Sequence, residues 1–225
     1  MLAWITALVL LCGGDDRTAR EVGAGPEPAL TPISWEFDFE YLDPPRRINV
    51  GGTSYLYLVY KVTNTSASSK RFQPTIQLVT EDLRVIDTDS GIRNDVFEAI
   101  RARHKQTHPH MIDPVSVIGD LRTGRDYSKE SVAIWRENDV TVNNFSIFVA
   151  GLSGEAKLMK NPAYDPKKPE TMSVQSEDGQ KREVVVNPKH FTLRKTLELR
   201  YAIPGSASAR DTRDPELVKS RWIMR

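Results

Sequence analysis

The run YLYLVYKVTNTS, residues 55–66, constrains the fold more than any other part of the chain. Leu56, Leu58, Tyr60 and Val62 occupy alternate positions, with Tyr55, Tyr57, Val59 and Lys61 between them. Side chains of a strand point alternately to its two faces, so this spacing predicts a β-strand. Both faces are largely apolar or aromatic, which makes the strand central: covered on the core side and partly covered on the other. Residues 64–69 end it, because small side chains that hydrogen-bond their own backbone compete with the ladder and favour a turn.

Other segments repeat the pattern. In SWEFDFEY, Trp35, Phe37, Phe39 and Tyr41 fall on one face and Glu36, Asp38 and Glu40 on the other, and DPPRRINVGG then turns the chain. FQPTIQLVT reads as a strand that Pro74 confines to an edge or a bulge, with LRVID as its hairpin partner. Three more strands are expected around residues 115–121, 131–135 and 145–152. In FTLRKTLELRYAI, Phe191, Leu193, Leu197, Leu199, Tyr201 and Ile203 share a face interrupted only by Lys195, while Arg194, Thr196, Glu198 and Arg200 face solvent. RWIMR follows as a docked tail. Only DVFEAIRARHK has helical spacing: Val96, Phe97 and Ile100 gather on one side, and Asp95 with Glu98 gives a capping-box-like start. Strands at loose intervals around one short helix predict an all-β antiparallel β-sandwich with insertions rather than a βαβ fold. A long insertion near residues 153–190 contains a hairpin that turns at Asp178 and Gly179.

At 225 residues the chain can bury roughly 70% of its unfolded surface without a metal or disulfide staple. Lys and Arg number 31 against 30 Asp and Glu, so no global field draws in nucleic acid or an anionic membrane surface. The one cysteine, Cys12, ends the apolar run MLAWITALVLLC. That run is shorter than the about 20 residues a membrane-spanning helix needs, and it has the length of a signal-peptide core. VLLCGG resembles the lipobox of bacterial lipoproteins, which would make Cys12 a lipidation site, although Leu11 stands where a small residue is usual. The expected organisation is a signal or lipoprotein-type leader at 1–12, a flexible tether at 13–33 and a sandwich domain at 34–225.

YLYLVYKVTNTS looks like the second strand and turn of Ig-like modules in exported bacterial proteins. Together with VAIW, FSIFVAGLSGE, LRKTLELRY and RWIMR, the chain resembles uncharacterised exported or lipoprotein-like proteins of planctomycete type. The resemblance implies a fold and an address, periplasmic or cell-envelope associated, and carries no functional residues with it.

Three constellations can carry chemistry. His104, His108 and His110 crowd into HKQTHPH; two imidazoles one helical turn apart suit zinc or copper, but Pro109 pushes His108 out of helical geometry. The competing reading is a solvated helix end whose dipole favours partial positive charge. Asp87, Asp89, Asp95 and Glu98 occupy the first, third, ninth and twelfth positions of an EF-hand-like register, yet Ile92 replaces the glycine required at position six, so an acidic turn is the better reading. Tyr55, Tyr57 and Trp135 form a stacking platform for a sugar or peptide if their strand faces are exposed; otherwise they are core. Phosphate-cradling loops, HExxH and a GxSxG elbow are absent from the sequence. The expectation is therefore a non-catalytic exported or membrane-tethered module, without a cofactor, whose partner is a protein or cell-envelope component and which touches a membrane only through its N-terminus. A carbohydrate or small-ligand module and a metal-binding protein or enzyme at the histidines are the alternatives.

Overall fold

The computed structural model describes residues 26–89, 91–137, 143–175, 180–205 and 213–225. The predicted leader, Cys12 and the Asp178–Gly179 turn lie outside these residues. The described chain is mostly β, with fourteen strands and one α-helix. All strand pairs within its sheets are antiparallel.

The first large sheet is built on β3 (Thr53–Asn64), the strand read from the alternation. β1 (Phe37–Tyr41) pairs along its C-terminal half, β2 (Arg46–Val50) along its N-terminal half, and β8 (Lys129–Arg136) along most of its length. The second large sheet is built on β13 (His190–Ala202), which pairs with β9 (Asn144–Ala150), β10 (Ala156–Lys160) and β14 (Glu216–Met224). β5 (Thr75–Thr80) joins β9, and β6 (Val85–Asp87) forms the expected hairpin with β5. Two small sheets complete the set: β4 (Lys70–Phe72) with β7 (Gly119–Leu121), and β11 (Thr171–Gln175) with β12 (Lys181–Val185).

Each large sheet turns one face to a common core. Leu56, Leu58, Tyr60 and Val62 of β3 and Trp135 of β8 meet Ile76 and Leu78 of β5, Ile147 and Val149 of β9, and Leu199 and Tyr201 of β13. The other face of β3 has a core of its own. There Tyr55, Tyr57 and Val59, with Val132 and Ile134 of β8, pack under Val96, Phe97 and Ile100 of helix α1 (Asn94–Arg103). β3 is thus buried on both sides, because an amphipathic helix supplies the cover that its second apolar face demands.

Four details depart from the sequence reading. The capping box does not form: Arg93 is the N-cap without a side-chain cap bond, Asp95 pairs with Arg93 and Glu98 with Arg101. In the stretch 115–121 only Gly119–Leu121 is strand, because the Asp113 carboxylate accepts from the amides of Val115 and Ser116, at 3.0 Å each, and holds a turn. The outward face of β13 is only partly solvated. Arg194 and Arg200 are exposed, but Thr196 and Glu198 are buried, Glu198 beside Phe148 and ion-paired with Arg221 at 2.5 Å. RWIMR docks as a strand rather than a tail: its residues 221–224 belong to β14, which pairs with β13 from Lys195 to Ala202.

Candidate functional site

The stacking platform expected at Tyr55, Tyr57 and Trp135 is not available. All three are buried, the tyrosines against α1 and Trp135 between the sheets, so none presents a ring face to a ligand. The condition of exposed strand faces fails because the helix covers one side of β3–β8 and the second sheet covers the other.

The histidines come together in part. The helix ends at Arg103, His104 follows as C-cap, and the turn beyond it is closed by the His108 amide on the His104 carbonyl at 2.7 Å. This turn brings the two rings to a 5.8 Å T-shaped contact despite the break at Pro109. His104 is buried rather than solvated, with Nε2 3.0 Å from the Tyr57 hydroxyl, and His108 Nδ1 lies 3.6 Å from Glu130. His110 is exposed. Burial, reinforced by His108, Arg103 and Arg46, holds the His104 imidazole below its ordinary pKa, and burial also raises the Tyr57 phenol. Among the described residues no group of three or more His, Cys, Asp or Glu side chains is arranged to hold a metal ion. Asp89, at φ +62°, receives a hydrogen bond from Thr88 Oγ1, and burial pushes its carboxyl up to about 7. The acidic register is divided: Asp87 ends β6, Asp95 and Glu98 lie in α1, and Asp89 stands between the two elements.

Two features noted in the sequence, but not offered there as sites, stand out in the structure. The first is an arm inside the insertion. A neck sets it: Asn187, itself buried, accepts from the Asp165 amide at 3.1 Å and donates to the carbonyls of Asp165 and Lys168, while Asn161 donates to the Pro188 carbonyl at 2.8 Å. Beyond the neck, every residue of β11 and β12 is exposed. Directly paired residues of antiparallel strands share a face, so the register Met172↔Val184 and Val174↔Arg182 puts Met172, Val174 and Val184 on one side with Arg182 at its edge. A two-stranded hairpin has little stability alone, and an apolar face left in water works against it.

The second is a buried ion cluster. Lys195, the interruption noted in β13, is buried among apolar neighbours with Nζ 2.7 Å from Glu36 and 3.8 Å from Glu155, and it sits 4.9 Å from the centre of the Trp222 ring. Glu155 also accepts from the Ala29 amide at 2.9 Å, which ties the segment 26–33 to the domain. An alternation pattern with one charge at an apolar position was the available signal. Its two carboxylate partners are 159 and 40 residues away in sequence and no local pattern names them.

No family model matches the chain, no curated protein is similar to it, and no solved structure matches its fold. Among the described residues no helix is long and apolar enough to cross a membrane.

Proposed function

We propose that the chain is a non-catalytic binding module: an Ig-like sandwich exported by its apolar leader, free or tethered through Cys12, that presents the β11–β12 arm to a protein partner at the cell envelope. The single observation behind the reading is the exposed apolar face of Met172, Val174 and Val184 on a hairpin held away from the core by its Asn187 neck. The passage of the chain between two large antiparallel sheets sharing one core supports the Ig-like assignment.

Covering each of these side chains gains about 1.5–3 kcal/mol before ordering costs, which is enough for three of them to anchor a contact. The test is a photo-crosslinking amino acid placed at Val184 in cells, with and without Met172→Asp and Val174→Asp. A discrete adduct that disappears in the double variant, while the purified variant unfolds at the wild-type temperature, is the expected result. No adduct, or one indifferent to both aspartates, refutes the arm. Mass spectrometry of the native N-terminus tests the address: an acylated Cys12 or a cleavage point supports export, and an intact cytosolic Met1 removes it.

A further inference from the structure

A groove of about 570 Å³ opens where β1 of the first sheet approaches β14 of the second. Trp35 and Trp222 line it together with Phe37 and Leu197, Glu36 and Asp38 are its acidic groups, and Ser34 and Ser66 bring hydroxyls to it. Both tryptophans are half-buried and both line the groove. No lysine or arginine lines the groove.

Both sides are held before any ligand arrives. Lys195 fixes two lining residues at once, Glu36 by the ion pair and Trp222 by its place over the ring. Trp35 lies against Gly154: its carbonyl accepts the Gly154 amide at 3.0 Å, and a Cβ at that glycine would strike both the indole nitrogen and, at 2.5 Å, Ser34 Oγ. A tilted contact of Trp35 with Phe37, 4.8 Å between centroids, completes the support. Fixed side chains lose little entropy on binding.

From this geometry we infer that the groove is a glycan site for a neutral, equatorially linked pyranose chain. Flat indole faces suit the C–H faces of such sugars, while carboxylates and hydroxyls hydrogen-bond the rim of ring hydroxyls. Lys195 behind the groove offsets Glu36, and Asp38 remains as a second carboxylate on the lining, which disfavours sulfated and uronic sugars through like-charge repulsion. This site is separate from the arm and goes beyond the protein partner proposed above.

The experiment is a calorimetric titration of the full mature chain with cellohexaose, chitohexaose, a heparin hexasaccharide and decaproline, in parallel with saturation-transfer difference NMR on the wild type. Binding of at least one of the first two is expected, with saturation concentrated on ring C–H protons. Trp35→Ala and Trp222→Ala should each weaken it about tenfold, and Trp35→Phe should restore most of the loss. The Met172→Asp, Val174→Asp variant should bind the glycan as the wild type does, which separates failure of the arm from failure of the groove. If the alanine variants unfold, the NMR contact pattern on the wild type decides. No binding of either neutral glycan at millimolar concentration, unchanged affinity in folded alanine variants, or a preference for heparin or decaproline overturns the assignment.

Discussion

Replacing Lys195 by methionine removes the cation from between Glu36 and Glu155 while keeping a chain of similar length. At the observed 2.7 and 3.8 Å separations, the two attractions amount to roughly 6 and 4 kcal/mol at an effective dielectric of 20, before desolvation is counted. Desolvating the three groups costs several kcal/mol per ion, so the intact cluster contributes far less than those attractions. The single substitution leaves the desolvation of Glu155, whose side chain is 1% exposed, without compensation. The expected loss is therefore that of a broken buried pair, about 3–5 kcal/mol. For a chain of this size that lowers the unfolding temperature by about 6–20 °C. Urea unfolding followed by far-UV circular dichroism measures it, alongside the triple variant Lys195→Met, Glu36→Gln, Glu155→Gln. The triple variant should recover most of the loss, since amides carry no charge to desolvate. A single-variant loss below about 1 kcal/mol, or a triple variant no better than the single, refutes the reasoning, because the carboxylates would then have found water or each other's proton without cost.

Other expectations follow from individual residues. Asp89→Asn retains a residue type tolerant of the left-handed backbone and removes a carboxyl whose pKa is raised in the folded state to about 7. The folded state favours the protonated form, so the wild type loses stability as pH rises from about 4 through 7; the variant should be more stable than wild type by up to about 4 kcal/mol at pH 8 and nearly equal to it at pH 4, as chemical denaturation at both pH values will show. His104 shifts the other way: its folded pKa is depressed, so it loses stability as pH falls below about 6.5, and His104→Gln should flatten that acid limb of the stability profile. A Cβ at Gly151, which has φ +86°, would lie 2.5 Å from the Gln73 carbonyl oxygen, so Gly151→Ala should cost about 2 kcal/mol or more in the same assay.

Periodicity identified what each strand buries but not what buries it. Tyr55 and Tyr57 sit where the alternation places them, on the second face of β3, yet their accessibility depended on whether α1 folds back over that face. The helix itself was legible, since Val96, Phe97 and Ile100 are the residues that pack. The docking was not, because nothing local encodes it. Trp35 and Trp222 show the same limit more sharply: each reads as one aromatic residue on a strand, and only the approach of β1 to β14 puts them beside one groove. Lys195 was visible as an exception to a pattern, while its partners were not. The partial burial of the outward face of β13 escaped detection because long neighbours, Arg221 and Phe148, lie across Glu198.

β3 also determines how the protein comes apart. As the common wall of two compartments, it cannot yield on the helix side without exposing the inter-sheet side too, and the reverse holds equally. Helix and sheets should therefore melt in step. Trp135 fluorescence, read in a variant with Trp4, Trp35 and Trp222 replaced by phenylalanine, reports the space between the sheets, and it should trace one superimposable transition with the His104 ring resonances, which report the space beneath the helix.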